Sequence, residues 1–83
     1  MSKLHIRDSS MIAGANYDPN HKVLALTYKS GDVYQYRRVP PVVVEGLLTA
    51  ESPGHYVNEN IKDTFPYRQL DLTKGRPVGR WRY

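Results

Sequence analysis

From Lys22 to Arg38 large apolar side chains alternate with smaller or polar ones, and the alternation is interrupted once, at Ser30-Gly31-Asp32. Leu24, Leu26 and Tyr28 stand before the interruption; Tyr34 and Tyr36 stand after it. A period of two is that of a strand with one buried face, and so short a loop forces its two strands antiparallel. The pattern predicts strands near 22–29 and 33–38. Upstream, the apolar run Met11 to Tyr17 lies between Ser9-Ser10 and Asp18-Pro19-Asn20, which read as turns, and predicts a strand near 11–17. Gly14 within it predicts a bulge that brings Ile12, Ala15 and Tyr17 to one face despite their uneven spacing.

Beyond Val39 the period changes. Pro40 and Pro41 suit the start of a helix, where their missing N–H groups would be unpaired anyway. Val42-Val43-Val44 and Gly46 make that helix weak by propensity, so it has to be held by burial of Val43, Val44, Leu47 and Leu48. Ser52-Pro53 starts a second helix, with Tyr56, Val57, Asn60 and Ile61 at helical spacing. Phe65-Pro66-Tyr67-Arg68 reads as extended. The expected fold is α+β: a three-stranded antiparallel β-meander packed against two short helices near 40–50 and 53–61, followed by a basic C-terminal tail. The expected division is a domain at 9–70 and a tail at 71–83. Leu24, Leu26, Tyr28, Tyr34 and Tyr36 should bury against the helices to make one core.

With 83 residues, the chain reads as one domain with a small core. It has no cysteine, which removes disulfides, thiolate nucleophiles and cysteine metal sites and agrees with a reducing, cytoplasmic setting. No apolar run approaches the roughly 20 residues of a membrane helix, and MSKLHIRDSS lacks a signal-peptide pattern, so a soluble protein away from membranes is expected. The net charge of +4 is uneven: residues 71–83 carry +3 and the rest +1. In the C-terminal segment Lys74, Arg76, Arg80 and Arg82 interleave with Trp81 and Tyr83, a composition suited to contacting an anion, or else a solvated end.

The order of Tyr17-Asp18-Pro19, Leu24-Ala25-Leu26 with Tyr28, Ser30-Gly31, Tyr34-Gln35-Tyr36, Val39-Pro40, Ala50-Glu51-Ser52 with Gly54, Asn58, Ile61 and Tyr67 resembles the KTSC domain over about residues 9 to 70. That small module occurs alone in bacterial and phage proteins and at the C-terminus of some lysyl-tRNA synthetases. The resemblance implies RNA binding. It does not reach the basic C-terminal segment.

Tyr34 and Tyr36 read either as a wall of the core or as a platform for stacking bases. On the opposite, more polar sheet face, Lys29 and Arg37 could meet phosphates, with Gln35 and Thr27 as neutral donors. Arg38 and Arg68 are long cations at strand or helix ends, as suited to surface as to ligand contact. Asn58 reads as a buried clamp between helix and sheet, or as part of an anion site with His55 and Tyr56. His5, His21 and His55 are far apart, the glycines fit no phosphate-cradling loop, and no spacing suggests a metal site or a cofactor. The chain therefore reads as a non-enzymatic binding module, with RNA or single-stranded nucleic acid as first partner and Lys29, Tyr34, Tyr36, Arg37, Arg38, Arg68, Arg76, Arg80, Trp81 and Arg82 as contact residues. The alternatives are a protein-interaction adaptor and a homo-oligomer that sequesters a small anionic nucleotide.

Overall fold

The structure is a computed structural model that describes residues 2–6, 9–71 and 75–82. Among the described residues one antiparallel sheet has the order β1-β2-β3-β4-β5-β6, so each strand pairs with its neighbours in sequence. The strands are β1 (Ser2–Leu4), β2 (Ile12–Asp18), β3 (Val23–Tyr28), β4 (Val33–Tyr36), β5 (Tyr67–Asp71) and β6 (Arg76–Arg82); α1 (Pro41–Thr49) and α2 (Pro53–Asn60) lie between β4 and β5. The α+β class stands, but the expected three-stranded meander is corrected to six strands. The three missed strands carry little period-two apolar signal: β1 is only SKL, β5 reads YRQLD and β6 reads RPVGRWR. Backbone pairing makes them strands, with Val33 opposite Leu70 and Gln35 opposite Arg68 in one ladder, and Leu70 opposite Pro77 in the next. The segment expected as a tail therefore forms the edge strand β6, while Lys74 and Tyr83 lie outside the described residues.

Local chemistry explains the elements. The β2–β3 register shifts between Ile12 and Gly14, and this bulge puts Ile12, Ala15 and Tyr17 together in the core. Asp18 accepts the backbone N–H groups of Asn20 and His21 and the His21 ring at 2.8 Å, which closes the β2–β3 turn and lowers the Asp18 carboxyl below its ordinary range. At the next turn Gly31 takes φ 100°, and the Tyr28 N–H donates to the Asp32 carbonyl. Arg38 adopts φ 62° just past β4, redirecting the chain toward α1.

The helices pack on one sheet face, where Leu24, Leu26, Leu47, Val57 and Ile61 are wholly buried. Tyr17 reaches through this core, and its hydroxyl donates to the Val39 carbonyl at 2.6 Å, tying β2 to the β4–α1 connection. Ser52 has the extended backbone of an N-cap but makes no side-chain capping bond. The anchor of α1 is instead Tyr56 on α2, whose hydroxyl donates to the Val43 carbonyl at 2.8 Å. A Cβ on Gly46 would collide with the Tyr56 hydroxyl and lie 2.7 Å from its Cζ. The glycine that weakens α1 by propensity is the gap through which Tyr56 passes.

Candidate binding site: a tyrosine-walled cleft

Strand alternation places Tyr34 and Tyr36 on the helix-bearing face, opposite Leu26 and Leu24 of β3, and Tyr67 enters the same face opposite Tyr36. Their environments differ. Tyr36 is 2% exposed and belongs to the core; Tyr28, Tyr34 and Tyr67 are half-buried around it. The Tyr28 and Tyr36 hydroxyls lie 2.9 Å apart in a hydrogen bond. Burial raises both phenols above their ordinary range, Tyr36 the more strongly, so both stay protonated at neutral pH. Tyr28 meets Tyr34 edge-on at 5.6 Å and 84°, and Tyr67 lies 6.2 Å from Tyr34 at 57°.

These rings wall a cleft of about 380 Å³, lined also by Asn58 of α2, by Lys62 and Asp63 in the turn just beyond it, and by Ser30 and Asp32 from the β3–β4 turn. Beyond it Tyr34 and Tyr67 also line a shallower cleft of about 190 Å³ with Gln69 and Arg82. The two hollows share one aromatic wall. Asp32 is held in place by Ser30 Oγ, which donates to it at 3.2 Å, and by the Gln69 amide at 3.5 Å.

The other sheet face carries a separate cluster. Arg68 Nε donates to Gln35 Oε1 at 3.0 Å, and the Arg68 and Arg37 guanidiniums lie 4.2 and 5.1 Å from the Trp81 ring centroid, which is cation–π geometry. The candidate contact residues thus divide between faces. Tyr34 and Arg82 line the clefts, and Tyr36, though almost wholly buried, lines the larger one, whereas Arg37, Arg68 and Trp81 stack on the reverse side. Arg76 and Arg80 are exposed on β6, and Lys29 and Arg38 are exposed in connections. Asn58, expected as a buried clamp, is exposed and lines the cleft. His55 faces solvent beside Glu59 at 3.2 Å. The reading of the residues missed Tyr28, Tyr67, Lys62 and Asp63 as parts of a site. For Tyr28 the signal was present, because pairing across the turn sets it diagonal to Tyr34.

Among the described residues no group of three or more His, Cys, Asp or Glu side chains is placed to hold a metal, and no helix is long and apolar enough to cross a membrane. An antiparallel meander with a helix pair inserted before its last two strands, and a tyrosine wall left open beside the helices, defines a small α+β module. Residues 8–65 match the KTSC domain, and the chain belongs to that family. It is 47% identical over 58 residues to a protein of Tsukamurella paurometabola, covering 70% of this chain and 87% of the relative. A lysine–tRNA ligase of a Nostoc species is 40% identical over 63 residues, covering 76% of this chain but 11% of the ligase. The crystal structure of a KTSC domain protein from Yersinia pestis superposes with a TM-score of 0.78 at 27% identity, covering 84% of this chain and 97% of that one.

Proposed function

We propose that this chain is a single-strand RNA-binding module that lays its ligand across the tyrosine face of the sheet, from Tyr34 on β4 over Tyr67 on β5 to Arg82 on β6. The observation that carries the reading is the shared wall: Tyr34 and Tyr67 line both clefts, and Arg82 stands in the second. Half-exposed rings accept the faces of unstacked bases whatever their sequence, and a guanidinium beside them meets the backbone. The net charge of +4 favours a polyanion over a neutral ligand. Enzymes named for a tRNA substrate carry a similar segment, which supports RNA as the polymer.

The test is a titration with a fluorescently labelled ten-nucleotide RNA of unstructured sequence. Tyr34→Ala and Tyr67→Ala should each weaken binding about 5- to 150-fold, the equivalent of about 1–3 kcal/mol per stacked base, with the melting transition retained. Tyr36→Ala should instead cost about 3–5 kcal/mol of stability, the range for emptying a buried aromatic site. Full affinity in a folded Tyr34→Ala/Tyr67→Ala protein would overturn the proposal.

A further inference from the structure

We infer that the larger cleft holds one guanine base, read at its Watson–Crick edge by Asp63; this rests on the single-strand RNA reading. The cleft is of a size that small-molecule sites use, and its aromatic wall is not flat. Tyr34 meets Tyr28 at 84° and Tyr67 at 57°, so the rings form the sides of a recess that takes a single planar group, not a platform for a continuous stack.

The charges around the recess decide which part of a nucleotide enters. Asp32 stands on the turn side and Asp63 on the helix side, and ionised carboxylates only accept hydrogen bonds. Two carboxylates against the one Lys62 ammonium leave the recess net negative, so a phosphate is drawn instead to the neighbouring hollow, where Arg82 lines the same tyrosine wall. The base therefore points inward and the backbone runs along β6. Asp32 is already engaged by Ser30 and Gln69, whereas Asp63 makes no hydrogen bond or ion pair with the described residues. The open acceptor is Asp63. Guanine alone among the four bases presents two adjacent donors on that edge, a ring N–H and an exocyclic amine, matching the two oxygens of a carboxylate. Its neighbouring carbonyl oxygen is an acceptor for the Lys62 ammonium or the Asn58 amide, which line the same recess. Uracil offers one N–H between two carbonyl oxygens, and adenine and cytosine each set their amine beside an unprotonated ring nitrogen.

The experiment compares three ten-nucleotide RNAs: all uridine, the same with one central guanosine, and the same with inosine there, which lacks the exocyclic amine. The guanosine RNA should bind about tenfold tighter than the uridine RNA, and inosine should lose most of that gain, since a good bidentate pair discriminates at about that level. Asp63→Asn, an exposed position whose change leaves the core untouched, should bring the guanosine and uridine RNAs within about twofold of each other with the melting temperature retained. Equal affinity of the wild-type protein for all three, or a guanosine preference that survives in Asp63→Asn, would overturn the guanine site and leave the RNA reading standing. Failure of every RNA to bind would overturn both.

Discussion

Gly46 shows how one residue can have opposite meanings at two levels of structure. In an isolated helix, glycine at this position costs about 1 kcal/mol relative to alanine, so Gly46→Ala is a stabilising substitution by propensity alone. In the folded chain the added methyl would meet the Tyr56 ring at its hydroxyl, Cζ and Cε2. That ring is held by its bond to the Val43 carbonyl, so relief requires giving up the bond that joins α2 to α1. The packing effect wins. Gly46→Ala should destabilise the protein by about 1–3 kcal/mol, the cost of overpacking a filled site, as read from the midpoint of urea denaturation. Tyr56→Phe should cost about 0.5–1.5 kcal/mol, a typical hydrogen bond, and placing both changes in one protein should give less than the sum because they break the same contact. Any gain in stability from Gly46→Ala would mean that Tyr56 does not lie across α1.

At the level of elements, β6 behaves unlike the tail its composition suggests. It pairs with β5 through Leu70 opposite Pro77 and Asp71 opposite Arg76, and Trp81 receives the guanidiniums of Arg37 and Arg68, each worth about 0.5–1 kcal/mol at a partly exposed site. A chain ending at Asp71 should therefore melt at least about 4–8 °C lower, the shift for each 1 kcal/mol in a domain of this size; an unchanged melting temperature would restore the free tail. Pro77 and Gly79 explain why the strand was hard to read. They suit an edge, where a missing N–H and a poor ladder expose no sticky template for another chain, but they erase the apolar period that betrays inner strands. By contrast, Leu24, Leu26, Tyr34 and Tyr36 announce β3 and β4 because they bury one face and alternate. The fate of Tyr34 was not legible in the same way. Its face follows from alternation, but its exposure depends on where α2 stops, and no local pattern records that the turn beyond Asn60 leaves the Tyr34 and Tyr67 rings uncovered.

For the whole molecule, the two sheet faces present cations of different kinds. On the cleft face Arg82 lies in register with Tyr67, and Arg76 with Asp71; both arginines are exposed. On the reverse face Arg68 and Arg37 are engaged with Trp81, and Arg68 also with Gln35. An RNA strand crossing the tyrosine face can touch the first set without the second, so salt dependence distinguishes the faces. Each single-strand phosphate neutralised contributes about 0.7 to the slope of log affinity against log salt. Arg76→Ala together with Arg82→Ala should lower that slope by about 1.4 and leave the melting temperature near its original value, because neither side chain is buried. Arg68→Ala should leave the slope unchanged and lower the melting temperature, since it removes the contacts to Trp81 and Gln35. The opposite pair of results, a slope that falls with Arg68→Ala and holds when Arg76 and Arg82 are lost, would place the polyanion on the Trp81 face and remove Tyr34 and Tyr67 from the binding surface.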